Sequence, residues 1–316
     1  MLPPLTFRLG AREDTPQIVA LLNQIFRTPI DPETWDWFTY DNPYGESRVY
    51  LAEKAETRSL AGMFSFTPIR IKIQGTLIPA SHGHHLVLTP AYRGGSAFIA
   101  LSRYALQAES SCGTHLVMGL MNRNSYQAHK FLMKWNDFGF LDCLYKVSTR
   151  RQDHDCREIK AFGPEFDEFY HRLSPRFSFH CDKNADWMNW RFQRRPGAPY
   201  TSYVAERNRE IEGYIILKRW QEPDGYRKAH IVDMHALSDV TLWELLAAAE
   251  TYAADCNELN LWAIQRYPYR ELLETAGFAE GAARAQPLAV RWLDGTSALF
   301  PEGNASYSYG DGDTVY

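Results

Sequence analysis

One order of elements runs twice along this chain of 316 residues, and that doubling limits it to folds that can be built in tandem. In the first half a short strand, Phe7 to Leu9, precedes a helix that Asp14 or Thr15 can cap, with Pro16 in the first turn where its missing N–H has no helical partner to lose. Ile18, Val19, Leu21, Leu22, Ile25 and Phe26 recur at helical spacing and make one apolar face. The aromatic cluster Trp35, Trp37, Phe38 and Tyr40 leads to a turn at Asn42-Pro43-Tyr44-Gly45. Strands over Arg48 to Ala52 and Leu60 to Phe66 follow, then a hairpin about Gln74-Gly75 that joins Ile69–Ile73 to Thr76–Pro79. A strand over His82 to Thr89, a helix from Gly94-Gly95 to about Ser111, a strand His115 to Leu120, a helix Asn124 to Lys134, a turn at Phe138-Gly139-Phe140 and a strand Leu144 to Ser148 complete this half.

The second half repeats the order: a helix around Asp186 to Phe192, strands Ser202–Glu206, Glu212–Lys218 and His230–His235, a helix Leu242–Cys256, a strand Leu259–Ile264 and a helix Tyr269–Thr275 closed by Gly277-Phe278. The expectation is therefore two tandem copies of one α/β fold, each a mostly antiparallel mixed sheet flanked by helices. The polar stretch Arg150 to Glu158 marks the junction, giving domains over 1–150 and 151–293 and a tail over 294–316. In that tail Tyr307, Tyr309, Gly310, Asp311, Gly312 and Asp313 lack the register of a calcium loop, so an exposed or docked tail is expected.

A composition of 45% hydrophobic residues supports two cores, and 38 acidic against 34 basic side chains leave a net charge of -4. That balance excludes a general nucleic-acid binder, which needs positive charge to neutralise phosphates. No segment reaches the roughly 18 apolar residues of a membrane helix and the first residues lack a basic start, so a cytoplasmic protein without a membrane span is expected. Cys112, Cys143, Cys156, Cys181 and Cys256 are scattered without CxxC spacing and read as reduced packing residues.

The chemistry-bearing segment is His82-Gly-His-His-Leu-Val-Leu-Thr-Pro-Ala-Tyr-Arg-Gly-Gly-Ser-Ala-Phe98, a strand that enters a glycine turn and then a helix. Such a turn aims backbone N–H groups and the positive helix end at a phosphate, and Arg93 adds a full charge. His82 and His84 alternate along the strand and share a face, with His85 pointing the other way. A histidine titrates near neutrality, which suits it to deprotonate an attacking amine. Ordinary strand-end histidines and a shared metal ion are the competing readings, but zinc catalysis requires three protein ligands and no third is spaced for it, so no metal is assigned.

The segment resembles the GNAT acyltransferase superfamily, whose acyl-CoA pyrophosphate loop reads Gln/Arg-x-x-Gly-x-Gly/Ala. Arg93 matches the first position and Gly94, Gly95, Ser96 and Ala97 follow, with Ser96 where the family prefers glycine and Phe98 where it wants a very small residue. Asn124, Phe131 and Gly139-Phe140 follow a course comparable to the family's next segment, with Phe131 in place of the tyrosine that protonates the departing thiolate. Met121 to Tyr126 and Thr89 to Gly94 also look like tandem acetyltransferases associated with bacterial surface-polysaccharide synthesis.

The resemblance implies acetyl-CoA as cosubstrate, held by Arg93, Gly94, Gly95, Ser96 and Ala97, by the backbone of Leu86, Val87 and Leu88 along the pantetheine arm, and by Asn124, whose other reading is a helix cap. It implies His82 and His84 as bases and Tyr126 as a substitute acid, in an N-acetyltransferase that acts on a small-molecule amine such as an amino sugar. A homodimer is one assembly open to such a chain. The second half has Leu237-Ser238-Asp239 instead of a glycine loop, so it reads as a copy without a cofactor site. The alternatives are a catalytically degenerate tandem scaffold and a tRNA-dependent aminoacyltransferase; the negative charge and the presence of Arg93-Gly94-Gly95 count against the latter.

Overall fold

The computed structural model describes residues 3–26, 28–147, 150–281, 285–295 and 302–312, without the side chains of Arg123 and Asn124. The elements run β1 (Leu5–Leu9), α1 (Thr15–Ile25), α2 (Pro32–Tyr40), β2 (Arg48–Lys54), β3 (Leu60–Ile73), β4 (Thr76–Leu88), α3 (Ser96–Ser111), β5 (Leu116–Leu120) and α4 (Arg123–Gln127). They continue with β6 (Asn136–Lys146), β7 (Arg157–Ile159), α5 (Pro164–Leu173), β8 (Phe179–Cys181), α6 (Ala185–Met188), β9 (Thr201–Arg207), β10 (Glu210–Gln221) and β11 (Arg227–Ala236). The last are α7 (Asp239–Tyr252), β12 (Glu258–Ile264), α8 (Arg270–Thr275), β13 (Ala279–Glu280), β14 (Gln286–Trp292) and β15 (Ala305–Ser306).

Two compact units result, and neither is continuous in sequence. Unit 1 takes Met1–Arg70, Ile78–Phe138 and Pro287–Leu299; unit 2 takes Ile71–Leu77, Gly139–Gln286 and Phe300–Tyr316. Each has the same sheet. In unit 1, β1, β2, β3 and β4 lie side by side, β4 pairs parallel with β5, and β14 closes the sheet antiparallel to β5. In unit 2, β7, β9, β10 and β11 are antiparallel, β11 pairs parallel with β12, and β6 closes the sheet antiparallel to β12. The closing strands are exchanged: β6 follows the helices of unit 1 in sequence, and β14 follows those of unit 2. The expected cuts at 150 and 293 therefore do not coincide with these units, because hydrogen bonding to the sheet, and not chain order, decides where each closing strand belongs.

The α1 face is as periodicity requires: Ile18, Val19, Leu21 and Leu22 bury against Trp35, Val49, Leu51, Met63 and Val87. On the other layer Leu101, Ala105 and Leu106 of α3 pack with Tyr50, Phe64, Phe66 and Leu88. Three local expectations are corrected. The aromatic run forms α2, with Asp31 capping Thr34 N at 2.9 Å. Pro68 and Pro79 break neither strand of the long β3–β4 hairpin, since a proline removes one donor but keeps its acceptor: Asn42 Nδ2 donates to Pro68 O (2.8 Å) and His115 N to Pro79 O (3.0 Å). Phe138-Gly139-Phe140 is strand, not turn, and a Cβ on Gly139 would stand 3.1 Å from the Ile264 side chain, closer than ordinary contact. The helix expected over Asn124–Lys134 is α4 continued by a π-turn over Ala128–Leu132.

The described end of the tail is docked, not exposed. Residues 305–312 are all buried, and β15 pairs with β8. No helix among the described residues is long and apolar enough to cross a membrane.

Candidate functional site

In unit 1 the parallel pairing of β4 with β5 covers only Ala80–Leu116, Ser81–Val117 and His82–Met118. Beyond His82 the two strands part, and the facing residues at the mouth are glycines: a Cβ on Gly119 would meet the Gly83 carbonyl at 2.8 Å. The segment that follows on β4, Leu86–Leu88, is backed by Gly62 of β3, where a Cβ would clash with Leu88 Cδ2 at 2.4 Å and the Val87 carbonyl at 2.6 Å. Leu86 and Leu88 pack toward α3, and Val87 toward α1.

β4 ends at a turn built for an anion. Pro90–Tyr92 makes one 3₁₀ turn, Gly94 takes φ +73, a conformation natural to glycine, and Gly95 enters α3 without a side-chain cap. The first turn of α3 contains no acidic residue. A Cβ on Gly94 or Gly95 would meet nothing within 4 Å, so no neighbouring group crowds the turn, and no side chain caps the N-terminal amides of α3. Arg93 is exposed and anchored through Nε to the Leu88 carbonyl at 3.0 Å. Pro3, Pro4, Phe7, Tyr92, Arg93 and Ser96 line a cleft of about 410 Å³ beside this turn. Phe98 points away from it, into the α3 core and edge-on to His129 at 5.5 Å, so its bulk does not fill the turn.

The histidines converge further than alternation predicts. His85 has φ +50, which breaks the pleat, so its ring lies 5.8 Å from Phe26 and 6.0 Å from Trp35, on the α1–α2 side where His84 meets Phe38 at 5.0 Å. The expectation that His85 points away from His84 is thus corrected by this left-handed residue. His84 and His85 share a hydrogen bond between their Nδ1 atoms at 2.6 Å, and His84 Nε2 meets the Thr67 hydroxyl at 2.7 Å. The His82 and His84 rings stack 6.3 Å apart, both buried. Burial, then the charge His85 and His82 would carry, holds the His84 pKa well below 6.5, so His84 is neutral at pH 7.

Tyr126 is committed elsewhere. Its hydroxyl donates to Asp137 Oδ1 at 2.7 Å and its ring lies 5.6 Å from the Lys130 ammonium; burial and then Asp137 raise its pKa. Phe131 is 70% exposed. The cap expected of Asn124 is made by Asn122, whose Oδ1 accepts from Ser125 N at 2.9 Å; the side chain of Asn124 lies outside the described residues.

Unit 2 has the same strand divergence, and its own chain occupies it. β11 pairs with β12 only over Lys228–Ile231, and beyond that point Ala263 of β12 bridges to Ser308 of the tail. Ser308 Oγ donates to Asp233 at 3.2 Å, and Ser306 Oγ meets His235 Nε2 at 2.9 Å. Asp233 and His235, which share one face of β11, are buried structural groups. Burial drives the His235 pKa down to about 3. The end of α7 is closed as well, since Ser238 caps Thr241 N at 3.2 Å and Asp239 follows. The buried Ser306, Ser308 and Asp311 were invisible to local sequence reading because their partners lie about 70 positions or more away.

Residues 6–121 match the model of the acetyltransferase (GNAT) domain family. The whole chain is similar in fold to solved N-acyltransferase structures. A GCN5-related N-acetyltransferase from Anabaena variabilis ATCC 29413 aligns at TM-score 0.71 and 16% identity over 92% of this chain and 73% of that one. A probable N-acyltransferase from Enterococcus faecalis V583 aligns at TM-score 0.68 and 13% identity, with 92% and 73% covered. Saccharomyces cerevisiae N-myristoyltransferase with bound myristoyl-CoA aligns at TM-score 0.67 and 12% identity, with 92% and 79% covered. No curated protein matches the chain.

Proposed function

We propose that unit 1 is an acyl-CoA-dependent N-acyltransferase that transfers an acetyl group to a small amine, with an amino sugar as the first candidate acceptor. The observation that carries this reading is the parting of β4 from β5 after His82, next to an uncapped, open glycine turn at the start of α3. The amides of Gly94 to Ala97 and the Arg93 guanidinium would hold the pyrophosphate. The free edge of Leu86–Leu88 would hydrogen-bond the pantetheine amides as a neighbouring strand does. Asn124, by the resemblance, would meet the same arm.

The reaction needs one base. The amine nitrogen attacks the thioester carbonyl, its proton passes to His84 or His82, and the carbon–sulfur bond breaks with CoA leaving as thiolate. His84 is suited to the task because it is neutral at working pH and its Nδ1 is coupled to His85. Tyr126 is a weak acid candidate, since its proton already serves Asp137.

His84→Ala should remove the acid limb of the kcat/KM profile and leave acyl-CoA affinity within a few-fold. With the His84 pKa held below 6.5, the wild-type limb should itself lie below pH 6.5, rate being lost as pH falls through it. An unchanged profile in the variant would reject the assignment. The second reading, a binding module without turnover, is favoured by the exposed Phe131 and the engaged Tyr126; it predicts saturable acyl-CoA binding with no CoA release across a panel of amines.

A further inference from the structure

We infer that, in the acyl transfer proposed for unit 1 and resting on that reading, the amine's proton enters at His85 and leaves through His84, Thr67 and Ser47 to a cleft beside α1. Thr67 and Ser47 are thereby positioning and relay residues of the site.

The four side chains form one unbroken file. His85 and His84 join through their Nδ1 atoms (2.6 Å), His84 Nε2 meets Thr67 Oγ1 (2.7 Å), Thr67 Oγ1 meets Ser47 Oγ (2.8 Å), and Ser47 Oγ donates to the Phe38 carbonyl (3.4 Å). Sheet register sets the hydroxyl pair, since Arg48 of β2 stands opposite Phe66 of β3 and so brings Ser47 beside Thr67. At the other end the left-handed backbone of His85, φ +50, turns its ring to His84, a conformation that costs energy for a residue with a Cβ.

The last bond fixes the direction of all the others. A carbonyl only accepts, so Ser47 directs its one proton to Phe38 and must accept from Thr67, and Thr67 in turn accepts from His84 Nε2–H. His84 then has its lone pair on Nδ1, where it accepts from His85 Nδ1–H, and the lone pair of His85 lies on Nε2. Every proton of the file points from His85 toward Ser47.

Both ring nitrogens of His84 are engaged, so a proton reaches it only along this file. His84, Thr67 and Ser47 are buried, whereas His85 is half-buried and directly precedes Leu86, where the edge assigned to the pantetheine arm begins. Ser47 lines a cleft of about 240 Å³ with Arg12, Ile18, Tyr40 and Glu46, ample for water. As the amine nitrogen bonds to the thioester carbon, its proton passes to His85 Nε2 and the His85 Nδ1 proton to His84 Nδ1. The His84 Nε2 proton passes to Thr67, the Thr67 proton to Ser47, and the Ser47 proton to water in the cleft, while the carbon–sulfur electron pair leaves with CoA as thiolate. Rotation of the two hydroxyls resets the file. Burial, then charge on His85 and His82, disfavours a charged His84, so the proton does not rest midway.

Two measurements on the full chain test this. Two-bond nitrogen–proton correlation NMR at pH 7, which needs no substrate, should show His84 as the Nε2–H tautomer and His85 as the Nδ1–H tautomer. In turnover of acetyl-CoA across a panel of amines, Thr67→Val should lower kcat about tenfold or more and leave the acetyl-CoA Kd within about twofold. It should also turn a curved dependence of rate on deuterium content into a straight one, and Thr67→Ser, which restores the hydroxyl, should restore both. Reversed tautomers with turnover present, wild-type kcat and curvature in Thr67→Val, or equal losses in Thr67→Ser and Thr67→Val would overturn the relay and leave the acyl-transfer reading standing. The expected tautomers without turnover of any amine would overturn the acyl-transfer reading, and with it the relay, which would have no proton to carry.

Discussion

Replacing Lys183 by methionine is expected to cost about 3–5 kcal/mol of stability, measured by urea denaturation at pH 7. Lys183 is 1% exposed and its Nζ lies 2.8 Å from Asp233 Oδ2 and 2.9 Å from Asp311 Oδ1. Tyr214 also donates to Asp233 (2.7 Å), and the Ser308 amide to Asp311 (2.8 Å). Burial works to lower the ammonium pKa, but Asp233 and Asp311 together hold it above its ordinary value. Methionine fills similar space without charge, so two carboxylates would be left in a dry site and one would have to bind a proton. A carboxyl whose folded pKa is raised above its unfolded value destabilises at neutral pH and ceases to do so as pH falls, so the deficit against wild type should narrow on acidification. Asp311, whose pKa burial already raises, takes that proton first. A deficit below about 1 kcal/mol, the range of an exposed pair, would contradict the role of Lys183 as the post that ties the tail into unit 2.

Glu109→Ala should cost unit 1 a comparable 3–5 kcal/mol or so. Glu109 of α3 is fully buried and accepts from Arg48 Nε and Nη2 (each 2.6 Å), Tyr50 (2.8 Å), Ser81 (2.8 Å) and Thr114 (3.0 Å). Removing it leaves Arg48 with a guanidinium that is mostly covered and stripped of its counter-charge, and three hydroxyls without their acceptor. Ser81 immediately precedes His82, so the same carboxylate fixes the C-terminal half of α3 to β4 at the point where β4 and β5 begin to part. Glu109→Gln, which keeps the shape and part of the hydrogen bonding, should lose distinctly less in the same denaturation experiment. Equal losses for alanine and glutamine would leave charge as the whole of its role, and no loss for either would remove Glu109 from the account.

Features written in consecutive residues were readable. The apolar spacing from Ile18 to Phe26 becomes α1, Gly94-Gly95 becomes the uncapped entry to α3, and Ser238-Asp239 marks the missing turn in unit 2. What escaped depends on partners distant along the chain. β6 and β14 change places because pairing with β12 and with β5 decides their membership, and nothing within Asn136–Lys146 or Gln286–Trp292 encodes that. His85 is a single left-handed residue in a strand of ordinary composition, yet that one dihedral brings its ring to the side of His84. The polar tail looked exposed because Lys183, Asp233 and His235, the groups that satisfy it, belong to β11 and the segment before α6.

A calorimetric titration of the full chain with acetyl-CoA, with free CoA and desulfo-CoA alongside, addresses the central claim that unit 1 alone holds one acyl-CoA site. The expected result is one equivalent bound, at least tenfold weaker in Arg93→Glu and unchanged in Asp239→Asn. No saturable binding, two equivalents, or an affinity indifferent to Arg93→Glu would contradict it.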